Sequence, residues 1–186
     1  MVLKATSAAR RRGRRGTAAL EFALTAMPFF ALVLAVAEAG FDFYVQEVMD
    51  FATQYAARQA QIGAMQASPL TPAAFVAKSY CTAMGTMLPC TNVTVTMKVV
   101  TDYWNVTEGQ IPVKNGKFDN TGLTLCPGTA GQLILMQAYY PLPKVLTLWM
   151  TLSSVIYNGH ASHVLTSTAA FMDEQFPPTG TKPAGC

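Results

Sequence analysis

From Thr17 to Ala37 the chain runs twenty-one residues with a single charge, Glu21. No other feature constrains the fold as strongly. At 1.5 Å per residue, a helix of this length reaches about 31 Å, the thickness of a bilayer core. Arg11, Arg12, Arg14 and Arg15 stand before it, and Glu38 and Asp42 follow it. A basic flank on one side places the N-terminus in the cytoplasm and everything after Glu38 outside. A secretory signal peptide is the rival reading. The run exceeds the 7–15 apolar residues usual in such a peptide. No small-x-small site closes it either, because Ala37-Glu38-Ala39-Gly40 leads straight into helix-like sequence. The expectation is an anchor that is uncleaved, or cleaved only on its N-terminal side.

Composition supports this placement. The chain is 51% hydrophobic and 12% charged, against about 25% charged in soluble domains. The apolar excess gathers in Thr17–Ala37 and, more weakly, in Leu142–Tyr157. The formal charge of +3 comes mostly from Lys4, Arg10, Arg11, Arg12, Arg14 and Arg15. The remainder is slightly acidic, so the basic block reads as a membrane-orienting flank and no nucleic-acid partner is expected.

The helical pattern continues past the apolar run. Phe41, Tyr44, Val45, Val48, Phe51, Tyr55 and Ile62 recur at helical spacing, and Asp42, Gln46, Glu47, Asp50, Gln54, Arg58 and Gln61 fill the other face. This predicts an amphipathic helix that leaves the bilayer and buries its apolar face. Gly63 weakens it and Ser68-Pro69 ends it. The helix from Thr17 to Gly63 would be roughly 70 Å long. Pro28 inside it is expected to kink or loosen it.

Beyond Gly63 the signals become mixed. Thr71 and Pro72 read as an N-cap and first helical residue, opening a second helix to about Leu88. "TNVTVTMKVVT" alternates, with Val93, Val95, Met97 and Val99 on one side, and predicts a half-buried antiparallel strand. Asn115-Gly116 is a hairpin signal. Gln132–Tyr140 and His163–Met172 read as further strands. Leu142–Tyr157 is apolar almost all round. It reads as a buried helix, or alternatively as an interfacial helix anchored by Trp149 and Tyr157. The expected class is α+β, a small antiparallel sheet packed on the outer half of the long helix.

Four cysteines, Cys81, Cys90, Cys126 and Cys186, all fall outside the membrane in this topology. An even number in an oxidising compartment suggests two disulfides, with three possible connectivities. Cys81–Cys90 would close a short loop and Cys126–Cys186 would tie down the Pro- and Gly-rich tail; a Cys186 left free for an intermolecular bond is the alternative. Paired spacings for zinc are absent. His160 and His163, three apart in turn or strand sequence, fall on opposite faces and do not suggest a metal site. No motif for hydrolysis, phosphate binding or metalloprotease chemistry is present. The expectation is a protein that is not an enzyme and needs no cofactor.

A short basic leader, a glycine, "TAALEF" and a long helix together resemble the type IV pilin class. The stretch "GTAALEFALTAMPFFALVLAVAEAGFDFYVQEVMDFATQYAAR" (Gly16–Arg58) is similar to the TadE-like pseudopilin family of tight-adherence (Tad/Flp) pilus systems. The closing segment "HVLTSTAAFMDEQFP" resembles the family's last strand. The resemblance implies a prepilin peptidase that cuts after Gly16, leaving Thr17 first and Glu21 fifth. It implies a leader over 1–16, a transmembrane and amphipathic helix over 17–63, and an extracytoplasmic domain over 64–186. It implies a bacterial inner-membrane protein, possible entry into the extracellular pilus, and the major pilin and other minor pseudopilins as partners. With bacterial relatives implied, the sequons at Asn92 and Asn105 read as chance matches.

The family's processing also suggests why a carboxylate stands in an apolar run. An unpaired charge at mid-membrane costs at least ~2.5–3.5 kcal/mol. Cleavage after Gly16 would give Thr17 a new α-amino group, cationic at neutral pH. Glu21 can pair with that amine, on its own chain or on a neighbour, and so set the register between subunits. The other reading has Glu21 snorkelling to the nearby headgroups. The functional expectation is a minor pseudopilin that primes, tips or supports a Tad-type pilus. The alternative is a single-pass anchored periplasmic binding or adhesive domain outside any filament.

Overall fold

The computed structural model describes residues 7–67, 71–86, 88–101, 111–119, 121, 123–143 and 155–174. Two compact units are distinguished, Met1–Phe41 and Asp42–Cys186. The first is the early part of helix α1 (Ser7–Gln61), which contains Pro28. Thr25 Oγ1 donates to the carbonyls of Glu21 at 3.0 Å and Phe22 at 3.1 Å. The large apolar side chains from Leu20 to Val36 are exposed.

In the second unit, α1 ends where the chain turns left-handed. Gly63 has φ 79° and its N–H donates to the Ala60 carbonyl at 2.9 Å, the kind of helix end that glycine makes inexpensive. A short helix α2 (Ala64–Ala67) follows. Thr71 Oγ1 accepts from the Ala74 N–H at 3.2 Å, so Thr71 caps α3 (Pro72–Phe75) with proline first in the helix. A π turn (Val76–Tyr80) links α3 to α4 (Cys81–Met84). Gly85, at φ 74°, stops the helix before the expected Leu88.

Among the described residues, six strands form one sheet, in the order β1-β4-β6-β5-β3-β2. They are β1 (Thr94–Val100), β2 (Val113–Lys114), β3 (Lys117–Phe118), β4 (Leu133–Pro143), β5 (Val155–Tyr157) and β6 (His160–Met172). The fold is α+β, but the sheet is mixed: β3 pairs with β5 in parallel, Lys117 beside Ile156. The Asn115-Gly116 hairpin joins β2 to β3 with both residues at positive φ, 52° and 71°, as a type I′ turn requires.

Both faces of the sheet are covered. Ile134, Met136, Ala138 and Tyr140 of β4 line the face toward α1, opposite Phe171, Ala169, Ser167 and Leu165 of β6. The other face holds Tyr139, Val155 and Val164, with Phe118, Ile111 and Leu123 against them. Burial on both sides explains why β4 reads as a continuous apolar run. It also corrects the expectation for β1. Thr96 is fully buried because a segment lies alongside the strand, and Thr96 Oγ1 donates to the Thr124 carbonyl at 2.9 Å.

The apolar segment Leu142–Tyr157 is not one helix. Leu142 and Pro143 end β4, and Val155–Tyr157 form β5. Residues 144–154, including Trp149, lie outside the described set, and with them the interfacial alternative. Sheet pairing claims the two ends: Pro143 and Val155 both lie opposite Ser162 of β6.

The face that α1 buries also differs from the expectation. The residues packed against the sheet are Val45, Met49, Ala52, Ala56, Ala57 and Ala60, with Thr53 buried among them. Of the expected face, Val45 is buried and Val48 partly so, but Tyr44 (42%), Phe51 (63%), Tyr55 (43%) and Ile62 (46%) are exposed. The true stripe lies one residue round the helix and is made chiefly of alanine. The sheet already supplies the bulk in Met97, Met136, Tyr140 and Phe171, so small side chains fill the remaining space.

Candidate functional site

The residues singled out for processing and register all lie in the first unit, on α1. Gly16 is helical, and a Cβ built there would meet nothing within 4 Å. The chain's own packing therefore does not require glycine at this position. Thr17 and Glu21 are four apart on one helix, which places them on neighbouring parts of the same face. Glu21 is exposed. Around it Leu20, Phe22 and Leu24 are exposed as well. One helix, described from Gly16 to Gln61, is long and apolar enough to cross a membrane by length and composition. A helix that is apolar on every side takes its cover from lipid or from other helices.

The cysteines lie in the second unit. Cys81 begins α4 and Cys90 begins a single 3₁₀ turn, Cys90–Asn92. Their sulfurs are bonded, with Cα atoms 5.6 Å apart. The bond fastens the helical segment to the start of β1. Cys126 is buried beside β1, its N–H donating to the Met97 carbonyl at 3.0 Å, and it too is disulfide-bonded. Cys186 lies outside the described residues.

Two polar features inside this unit were not read from the sequence. Tyr80 is fully buried under α1, where its hydroxyl accepts from Thr53 Oγ1 at 3.3 Å and donates to the Met49 carbonyl at 3.4 Å. Burial, with Asp50 nearby adding to it, pushes the phenol up to about 12 despite the Thr53 hydrogen bond. Asp173 directly follows β6, 3% exposed, and neither carboxylate oxygen has a hydrogen-bond partner among the described residues. Its backbone is tied on both sides: its N–H donates to the Gln132 carbonyl, and its carbonyl accepts from the Gly131 N–H. Phe75, Val76, Tyr80, Ala83, Met84 and Met87 recur at helical spacing in the sequence, which marks Tyr80 as an apolar-face residue, but neither its hydrogen bonds nor the burial of Asp173 carries a sequence signal, so only the fold reveals those.

No arrangement among the described residues suggests catalysis. His160 and His163 are both exposed on β6, and among the described residues no group of three or more His, Cys, Asp or Glu side chains is placed to hold a metal ion.

The comparisons bear on the first unit and the start of the second. No curated protein and no solved structure matches the chain. Residues 16–58 match the family model described as TadE-like protein. The stretch that carries Gly16, Thr17 and Glu21 is thus TadE-like, and a TadE-like domain suggests a Tad pilus-associated protein.

Proposed function

We propose that the chain is a minor pseudopilin, a structural subunit that primes, tips or supports assembly of a Tad-type pilus. The observation that carries this reading is the TadE-like helix itself, whose large apolar side chains from Leu20 to Val36 are exposed, with one carboxylate four residues after Thr17. A simple anchor needs neither Glu21 nor a glycine at position 16. In this account residues 1–16 form a cytoplasmic leader that prepilin peptidase removes after Gly16. The helix over 17–63 holds the protein in the inner membrane, and residues 64–186 lie outside the cytoplasm. The new Thr17 amine then pairs with Glu21 of an adjacent subunit, major pilin or minor. In apolar surroundings, removing one partner of such a pair costs about 3–5 kcal/mol, because the other charge is left uncompensated.

The test is Glu21→Gln, which keeps size and hydrogen bonding and removes the charge. Membrane insertion is expected to persist, since the run becomes less polar. Surface pilus yield and co-purification with other pilus subunits, at matched protein level, are expected to fall sharply. Wild-type assembly by Glu21→Gln would remove the charge from the account and return Glu21 to a headgroup-facing role.

A further inference from the structure

A carboxylate with no donor to meet it lies where three elements of the second unit come together. Asp173 is 3% exposed, and both of its carboxylate oxygens are buried without a hydrogen-bond partner among the described residues. Three backbone hydrogen bonds hold this part of the chain in place. The Asp173 N–H donates to the Gln132 carbonyl at 3.1 Å, and the Asp173 carbonyl accepts from the Gly131 N–H at 3.0 Å. The Glu174 N–H donates to the carbonyl of Gln61, the last residue of α1, at 3.2 Å. All three lie just past the last rung of the β4–β6 ladder, where Leu133 stands opposite Met172. They fasten the end of β6 to the approach to β4 and to the end of α1. A buried ion without a donor is costly where the dielectric is low. The fastening therefore suits a neutral carboxyl and is opposed by an ionised one.

We propose that Asp173 is a proton-operated latch on this junction. Neutral, it stays buried and the three bonds close. Ionised, it gives its proton to water and swings out to solvent, and the three bonds open together. The position favours release over ionisation in place. Met172 and Glu174, on either side, are exposed, so solvent is one residue away. The end of a ladder opens at lower cost than its middle. The facing turn keeps its own shape, since the Gln132 N–H donates to the Thr129 carbonyl at 3.0 Å and the Thr129 N–H to Gln132 Oε1 at 2.8 Å. The moving part is thus Asp173 with Glu174. Gln137 gives the contrast. Its Nε2 is also buried without a partner, but it sits in mid-ladder between Thr96 and Thr168 and has no proton to lose near neutral pH. No neighbouring charge competes with burial at Asp173. α2 and the segment from Gly128 to Gln132 carry no titratable side chain. Arg58, on the last turn of α1, is exposed and donates to Gln61 Oε1 at 3.3 Å. Glu174 is exposed, and the histidines of β6 lie toward its other end. Burial is accordingly the sole cause that raises the Asp173 carboxyl to about 7.

The latch depends on neither membrane insertion nor pilus assembly, so its outcome is separate from that of Glu21→Gln. The test is amide hydrogen exchange at single-residue resolution, on the full chain in detergent, at pH 5 and pH 8, with rates corrected for the intrinsic effect of pH. In wild type, protection of the Gly131, Asp173 and Glu174 amides is expected to fall at least tenfold between the two. Protection of Met136 and Ala138, in the middle of β4, is expected to change less than threefold. Asp173→Asn and Asp173→Leu carry no charge at either pH. With the Cys81–Cys90 bond formed, both are expected to change less than threefold at all five positions. Glu174→Gln is expected to behave as wild type. Unchanged protection of the three amides in wild type would overturn the proposal, because Asp173 would then ionise in place or stay neutral. An equal loss at Met136 and Ala138 would also overturn it, as the opening would be that of the whole sheet. So would a loss that persists in either folded Asp173 variant, or one that Glu174→Gln abolishes.

Discussion

Asp173 shows how one residue makes stability depend on pH. Its side chain is buried without a hydrogen-bond partner among the described residues, and burial pushes its carboxyl up from 3.8 to about 7. The charged residues on the elements tied to it are Glu174 beside it and Arg58 on the last turn of α1, both exposed. The unfolded chain loses this proton near pH 4 and the folded chain near pH 7. Between those values the folded state binds one proton more, so its stability falls as pH rises. The contribution is fully present below pH 4 and gone above pH 7, on the order of a few kcal/mol at 1.36 per pH unit. Asp173→Asn carries no charge at any pH. Urea unfolding of the full chain in detergent, at pH 5 and pH 8, is expected to show a smaller drop in midpoint for Asp173→Asn than for wild type. Equal drops would mean that Asp173 is ionised in the folded protein. Residues whose own conformational preference decides the outcome were legible in the sequence: Gly63, Thr71 with Pro72, and Asn115-Gly116. Asp173 was not, because its burial depends on Gln132 and Gly131, about forty residues earlier.

At the scale of elements, α1 separates apolar character from burial. The sequence suggests the aromatic stripe as the core face because large apolar side chains dominate any pattern. The structure buries the alanine stripe instead, since the sheet brings the large side chains to that interface. The contrast is measurable. Ala56 is fully buried, so Ala56→Leu adds volume where none is free and is expected to cost about 1–3 kcal/mol. Phe51→Ser, at an exposed position, is expected to stay within about 0.5 kcal/mol in stability. Denaturant midpoints of the two variants decide the matter, and the reverse order would return the aromatic face to the core. Leu142–Tyr157 failed for a related reason. An apolar run has no period that tells a buried strand from a buried helix, and here distant pairing with β6 drew both ends into the sheet. The parallel contact of β3 with β5 was illegible for the same cause, as it joins residues about forty apart.

For the whole molecule, the sequence told more about the TadE-like end than about the rest. An apolar span, its flanking charges and a carboxylate inside it are local features, and bilayer thickness and the cost of charge in lipid act on them directly. The sheet is assembled from long-range pairs, so its class was legible and its topology was not. The central claim is that the chain is made as a prepilin and matured after Gly16. Gly16 has open space around it, so its role is sought in the peptidase, which needs a backbone without a side chain. Gly16→Val is accordingly expected to leave a longer precursor in the membrane. The most direct measurement is the mature N-terminus, read by mass spectrometry on protein from the native host. The account predicts a chain beginning at Thr17. A chain that keeps Met1, or one that begins near Ala39 after signal-peptide removal, would contradict it.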